Sequence, residues 1–237
     1  TLYDIKGIGE IVSGKPDTVF VVDGISGLGA VECRTDQWNI DMLVSGSQKA
    51  LSLPPGLSFI SVSEKAWSKI NMSTMPKYYL DLKKYKKAMA KFDFPFTMAV
   101  GLVVGLRKSL EIIKKEGLEN LWNVHKKRAL AVRNAAVAMG LEIFSKSPSD
   151  AVTAIVLPEN IDGEKFSSDM RKEFGMSIAG GQDKLKGKII RISHFGYQDE
   201  FDTIAVIAGI EIMLNKYGYK INPGTGVREA MKALFAI

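Results

Sequence analysis

Two short apolar segments, each followed by a polar group, constrain the fold of this 237-residue chain more than any other feature. The segment TVFVVD, residues 18–23, is rich in β-branched residues and ends in a carboxylate. Such a run is typical of a strand buried in a parallel sheet. The segment IDMLVSGSQK, residues 40–49, repeats this pattern and ends in a polar turn that contains a glycine. Because helices cover the faces of parallel sheets, the two segments predict an α/β fold.

The remaining elements divide the chain into two regions. A third strand is predicted over residues 57–63, after the Pro54–Pro55–Gly56 turn. Helical periodicity predicts helices over residues 4–14, 78–92, 98–117 and 118–140. Beyond residue 141, short strands over 141–144, 151–158, 176–180 and 188–193 alternate with helices over 164–175 and 199–218. We therefore predict part of a large domain over residues 1–115, and a linking helix with a small α/β domain over residues 116–237.

The composition argues against several classes of protein. The single cysteine, Cys33, cannot form a disulfide framework or a cysteine-rich zinc site, and His125 and His194 lie far apart in sequence, so no metal site is predicted. A net charge of +6 is too small to indicate nucleic-acid binding. No segment approaches the ~18 apolar residues of a membrane-spanning helix, and no signal peptide is visible. We expect a cytoplasmic protein without nucleic-acid or membrane partners.

A carboxylate and a lysine follow the two parallel strands. Asp23 ends the first strand, and Lys49 follows the second. Ligands bind at the carboxyl ends of parallel strands. A lysine placed there can form a Schiff base with a carbonyl, and an aspartate can pair with the protonated ring nitrogen of pyridoxal phosphate. On these two residues alone, a turn-forming aspartate and a solvated lysine remain the more common interpretation.

The surrounding sequence resembles a known enzyme family. Residues 22–63 contain the string SGSQKAL followed by a PPG turn, and this block resembles the cofactor-lysine region of class V aminotransferases. These are fold-type-I pyridoxal-phosphate enzymes of the alanine–glyoxylate and serine–pyruvate group. GLENLWNVHKKRA and GKIIRISHFGY also resemble family segments, in the expected order. The resemblance implies the later half of the large, mainly parallel-sheet domain plus the small C-terminal α/β domain.

The resemblance implies roles for four residues around the cofactor. Lys49 would hold pyridoxal phosphate through a Schiff base and later move a proton between the substrate and the cofactor. Asp23 would accept the ring N–H, and Ile25 would pack under the ring. Gln48 would form a hydrogen bond near the phosphate or the phenolic edge of the ring.

Two further residues are assigned by the same resemblance. Thr97 would contact the phosphate of the neighbouring subunit's cofactor, and Arg191 would hold the substrate carboxylate through a bidentate pair. Phe94 stands where some members have a phosphate-contacting tyrosine. His194, three residues after Arg191, would either contact the substrate, adjust Arg191 or pack at the strand end.

The implied reaction is ping-pong transamination between a small amino acid (alanine, serine or aspartate) and glyoxylate or pyruvate, catalysed by a homodimer. The family's N-terminal part, with its main phosphate-binding turn, has no counterpart in this chain. We expect it on a separate chain or on a removed segment.

Two alternatives stay open. One is a pyridoxal-phosphate lyase or desulfurase, although Cys33 precedes the lysine and Gln48 stands where desulfurases carry a histidine. The other is a non-catalytic fragment or subunit of a split aminotransferase.

Overall fold

The computed structural model describes residues 1–236 and divides them into two compact units. The N-terminal unit comprises Asp4–Leu28 and Cys33–Lys115, and the C-terminal unit comprises Thr1–Tyr3, Gly29–Glu32 and the chain from Glu116 onwards. The elements of the first part are α1 (Ile5–Ser13), β1 (Val21–Asp23), β2 (Met42–Gly46), β3 (Ser58–Val62), α2 (Glu64–Met72), α3 (Leu82–Met89) and α4 (Val100–Glu116). Those of the second part are α5 (Leu118–Ala138), β4 (Glu142–Ile143), β5 (Val152–Val156), α6 (Gly163–Phe174), β6 (Ala179–Gly180), β7 (Ile189–Ser193), α7 (Glu200–Lys216) and α8 (Thr225–Phe235).

The three predicted strands of the N-terminal unit form one mixed sheet. β1 pairs with β2 in parallel, with Asp23 opposite Val44, and β3 pairs with β2 in the antiparallel direction. Residues 47–57 join β2 to β3 without a helix. A parallel pair needs a longer crossover, usually a helix, so this short connection returns the chain in the opposite direction. Val22, Ile40 and Leu43 form the buried apolar cluster beneath the sheet.

A buried carboxylate joins three segments at the start of β2. Asp41 is 6% exposed and accepts hydrogen bonds from the backbone N–H of Phe20 (2.9 Å) and from the Ser63 hydroxyl (2.8 Å). The Lys65 ammonium lies 2.8 Å from the same carboxylate. Ser63 also caps α2 by accepting from the N–H of Ala66. Burial opposes ionisation of Asp41, but these partners outweigh it and hold the pKa of the carboxyl below its ordinary value.

The C-terminal unit is built on a four-stranded antiparallel sheet in the order β4-β5-β7-β6. Small residues on α5 allow close approach of neighbouring elements, and α5 packs mainly against α8 and also against α7. The largest fully buried side chains of this core come from β5, α6, β7 and α7; they include Ile155, Phe166, Met170, Ile190, Ile207, Ile210, Met213 and Leu214. Within residues 1–236, the helices lack the combination of length and apolar character that crossing a bilayer requires.

The N-terminus of helix α8 is capped by a side chain from helix α7. Its own N-cap residue is Gly224, which has no side chain and adopts φ +85°. Glu211 on α7 is 5% exposed, and its carboxylate accepts from the backbone N–H groups of Gly224 (3.0 Å), Gly226 and Val227 (3.4 Å). The negative charge therefore satisfies N–H groups that a new helix leaves without intrahelical partners.

We expect Glu211→Gln to lower the free energy of unfolding by about 2 kcal/mol, the scale of hydrogen bonds to a charged group. The amide substitutes an N–H₂ group and a neutral oxygen for a carboxylate that faces only donors. Urea unfolding followed by circular dichroism measures the change. Glu159→Gln, at an exposed position, is the matched control and should change the unfolding free energy by less than about 0.5 kcal/mol. Equal effects of the two substitutions would contradict the capping role.

We expect Asp41→Asn to weaken the dependence of stability on acid pH. The folded-state pKa of Asp41 lies below its unfolded value of about 4, so its ionised form stabilises the fold above that pH. This contribution is lost as the pH falls through the lowered folded pKa. Unfolding free energies measured from pH 6 to pH 2 should therefore fall more steeply for the wild type than for D41N. D36N, at an exposed position of the same unit, should retain the wild-type slope.

Candidate functional site

The parallel pairing of β1 with β2 brings Asp23 and Lys49 to the same edge of the sheet. Asp23 is the last residue of β1, and Lys49 lies three residues beyond Gly46, the last residue of β2. The Asp23 carboxylate is exposed, and its Oδ1 accepts from the backbone N–H of Ile25 at 2.9 Å. The sequence expectation that both groups follow neighbouring strand ends therefore agrees with the structure.

A buried serine holds the turn that carries Lys49. Ser47 is fully buried; its hydroxyl donates to the carbonyl of Pro54 (2.8 Å) and accepts from the N–H of Leu57 (3.2 Å). Lys49 itself is half-buried, and its carbonyl accepts from the N–H of Ser52, which has φ +55°. Sequence reasoning singled out Gln48 and Lys49 but not Ser47. A serine before a glutamine gives no sign of its depth, and the hydrogen bonds that define its role close only in the folded turn.

The other cofactor residues predicted from the sequence lie in the same unit. Ile25 is half-buried directly beyond Asp23, and Gln48 is exposed beside Lys49. Thr97 is exposed in the segment between α3 and α4. Its neighbour Phe96 packs against the rings of Tyr78, Tyr79 and Tyr85, with ring centroids between 4.7 and 6.2 Å apart. This aromatic cluster fixes the backbone next to Thr97.

Arg191 lies in the C-terminal unit, at the centre of β7 between β5 and β6. Its Nε donates to the carbonyl of Gly180 at 2.8 Å, and this bond fixes the plane of the guanidinium. Within residues 1–236 the two terminal nitrogens of Arg191 have no protein hydrogen-bond partner. The side chain lines a cavity of about 480 Å³, together with Ser177, Tyr197 and Gln198. An arginine held by Nε and open at both terminal nitrogens can bind a carboxylate through two parallel hydrogen bonds.

A buried histidine lines the same cavity. His194 is 1% exposed, and its Nε2 lies 2.8 Å from the hydroxyl of Thr153 on β5. Burial lowers the pKa of His194 to about 3, and the positive charges of Arg133 and Arg128 act in the same direction. Its imidazole is therefore neutral at pH 7. In the described chain, up to residue 236, no three His, Cys, Asp or Glu side chains are placed to hold a metal ion.

Comparisons with known proteins identify the family of this chain. The sequence pattern of the family "Aminotransferase class-V" matches residues 1–202. The chain is 40% identical over 236 residues to a protein of Synechococcus sp. (strain PCC 6716) named "Soluble hydrogenase, small subunit", covering 98% of this chain and 61% of that protein. It is 36% identical over 230 residues to the serine–glyoxylate aminotransferase of Methylorubrum extorquens, covering 94% of this chain and 57% of that enzyme.

A solved structure shows the same fold. The pyridoxamine–pyruvate aminotransferase of Mesorhizobium loti superposes with a TM-score of 0.94 at 30% sequence identity, over 100% of this chain and 62% of that one. The chain thus spans about three-fifths of the length of the relatives that it matches. Its architecture is the corresponding part of the fold-type-I pyridoxal-phosphate enzymes, and the chain belongs to the class V aminotransferase family.

Proposed function

We propose that this chain carries the cofactor lysine and the carboxylate-binding arginine of a pyridoxal-phosphate-dependent aminotransferase. The observation that carries the proposal is the placement of Asp23 and Lys49 at the carboxyl ends of two parallel strands, with Lys49 in the family string SGSQKAL. These two residues fit the cofactor, because the Lys49 amine can bind its aldehyde and the Asp23 carboxylate can pair with its ring nitrogen. When bound, pyridoxal phosphate supplies an electron sink for the bonds at the substrate's α carbon.

Asp23 supplies the negative charge that would face the ring nitrogen of the cofactor. The N–H of Ile25 holds Oδ1, so the other carboxylate oxygen is available to accept the ring N–H. The negative charge favours a protonated ring nitrogen. Ile25 supplies an apolar surface for one face of the ring. Gln48 would form a hydrogen bond with the phosphate or the phenolic edge.

Lys49 acts at the other end. Its amine would hold the cofactor, and it would move a proton between the substrate α carbon and the cofactor's C4′. Ser47 keeps the turn rigid, which fixes the position from which the amine acts. Thr97 would serve the phosphate of a second copy in a homodimer, and its exposure leaves it available for that contact.

Arg191 provides the substrate carboxylate site. Amino acids and 2-oxo acids share the carboxylate that this guanidinium can bind, so one site serves both halves of a ping-pong reaction. The serine–glyoxylate enzyme of Methylorubrum extorquens supports small substrates of this class. We propose alanine, serine or aspartate as amino donor, and glyoxylate or pyruvate as acceptor.

A thiol-based desulfurase receives no support from the structure. Cys33 is half-buried, and burial raises the pKa of its thiol, which keeps it protonated at neutral pH. A lyase would differ from an aminotransferase in one measurable way. It would convert its amino acid without an added oxo acid, whereas transamination needs both substrates for continued turnover.

We expect Lys49→Arg to abolish covalent attachment of the cofactor. The protein is mixed with pyridoxal phosphate and reduced with borohydride, and its mass is measured by mass spectrometry. The wild type should retain one reduced cofactor on Lys49, and K49R none, because a guanidinium does not form the Schiff base. Turnover of serine with glyoxylate should fall by at least about 100-fold, the scale of a lost general acid–base group. Lys15→Arg, at an exposed position, is the control. Labelling at Lys15 or unchanged labelling of K49R would refute the assignment.

We expect Arg191→Lys to raise the KM for pyruvate by roughly tenfold, because lysine keeps the charge but loses the two parallel hydrogen bonds. Arg191→Gln should raise it further, since the charge is also lost. Steady-state kinetics with serine as donor measure both effects. Arg171→Lys, at an exposed position of the same unit, should leave the KM unchanged. An unchanged KM in R191Q would show that another group binds the carboxylate.

A further inference from the structure

Arg128 on α5 is a buried arginine that the proposed reaction does not use. It is 8% exposed, and one of its terminal nitrogens donates to the carbonyl of Gln198. Its Nε is fully enclosed and has no hydrogen-bond partner within residues 1–236. The ion pairs of that range include Arg133 of the same helix, which is paired with Asp150, but none with Arg128. Arg128 is therefore a buried cation held by a backbone carbonyl alone.

The surroundings of Arg128 are unfavourable for stability. Transfer of a guanidinium from water into a protein interior costs free energy, which a carboxylate partner or a complete set of hydrogen bonds normally offsets. Arg128 has neither within residues 1–236. Replacement of buried charged groups by apolar side chains of similar volume is often neutral or stabilising. The bond from Arg128 to Gln198 therefore points to a task other than stability.

The carbonyl that Arg128 binds belongs to the loop between β7 and α7, residues 194–199. Inside the loop the N–H of Gln198 donates to the carbonyl of Gly196 at 3.0 Å. Gly196 has φ +101°, and a side chain added to it would meet open space. Tyr197 is fully exposed. The loop is thus open to solvent at its tip, and Arg128 holds it from the side of α5.

The same loop forms part of a cavity wall. Tyr197 and Gln198 line the cavity of about 480 Å³ that Arg191 also lines, whereas Arg128 is not among its lining residues. The position of the Gln198 backbone therefore sets the width of the cavity at this wall. Small displacements of groups that position a substrate have large effects on its binding and reaction. A tie on the Gln198 carbonyl thus acts on the cavity without contact with its contents.

We propose that Arg128 is a positioning residue of this cavity, which holds the loop of Tyr197 and Gln198 in place and so fits the cavity to a short 2-oxo acid or amino acid. The inference rests on the proposed function, because it concerns the cavity assigned to the substrate carboxylate. Without the bond, the loop can move towards solvent and widen the cavity. Binding of a short acid then weakens, and a longer acid is discriminated against less strongly.

Hydrogen exchange tests the tie itself and needs no turnover. The amides of Gln198 and Asp199 are hydrogen-bonded in the folded loop. We expect Arg128→Met to speed their exchange with deuterium by about tenfold, the effect of one lost hydrogen bond to a charged group, while the melting temperature stays unchanged or rises. R128K retains a donor and should restore part of the slow exchange. Lys127→Met removes an exposed charge from the same helix and, as the matched control, should exchange like the wild type.

Steady-state kinetics of the holoenzyme test the effect on the cavity. With serine as donor, we expect R128M to raise the KM for pyruvate by about fivefold. Its preference for pyruvate over 2-oxobutyrate, which is one carbon longer, should fall by at least about threefold, since a methylene is discriminated by the fit of the pocket. K127M should leave both values unchanged. A general loss of folded protein would lower activity equally with both acids and would not change the preference.

Three results overturn the proposal. Unchanged exchange in R128M would show that Arg128 does not hold the loop. Faster exchange with an unchanged KM and preference would separate the loop from the cavity. A lower melting temperature with an equal loss of activity for both acids would make Arg128 a structural residue.

Failure of the proposed function has a different signature. Any of those three results beside normal transamination by the wild type would leave the proposed function intact. Absence of transamination in the wild type would refute the proposed function. Exchange measured with and without pyruvate then decides the inference by itself. Slowing of loop exchange by pyruvate in the wild type but not in R128M supports it, and the same response in both proteins overturns it.

Discussion

The parallel pairing of β1 with β2 determines where this chain can carry out chemistry, because it brings two strand ends to one edge of a sheet. Side chains 26 positions apart in sequence, Asp23 and Lys49, thereby share that edge. Both ends of β2 are fixed by buried polar groups. Asp41 holds its start through three donors, and Ser47 holds the turn beyond its end. The Ser47 bonds hold the turn that carries Lys49, so the position of this lysine depends on a buried polar group.

In the C-terminal unit, Arg191 is positioned by a backbone contact. Arg191 lies on an antiparallel sheet and is held by a backbone carbonyl of the edge strand β6, not by a carboxylate. A carboxylate partner would compete with an anionic ligand for the guanidinium, whereas a carbonyl fixes its plane and leaves its charge available. Arg191 supplies positive charge to the cavity, and His194 lines it as a neutral imidazole. The cavity is therefore suited to a small anion by electrostatics as well as by hydrogen bonding.

Local sequence signals explain most of the elements and fail at identifiable places. The strand predictions are confirmed in number and order, although β1 begins at Val21 and not at residue 18, and β6 is limited to Ala179–Gly180. The helix predicted over residues 78–92 is shorter, because Asp81 caps it by accepting from the N–H of Lys83, and Tyr78 and Tyr79 pack on Phe96 instead. Helix α8 was not predicted. Its N-cap is a glycine, and the carboxylate that caps it lies 13 residues earlier, on α7.

The sequence by itself determined the alternation of strands and helices, the family block around Lys49, and the residue types proposed for the cofactor and carboxylate sites. These depend on local periodicity and on contiguous motifs, which a linear sequence records directly. Only the tertiary structure decided that β3 runs antiparallel, that Ser47 and Asp41 are buried bonding centres, and that Thr153 meets His194. Those facts depend on contacts between residues 7 to 41 positions apart, and on a burial that no single residue type reveals.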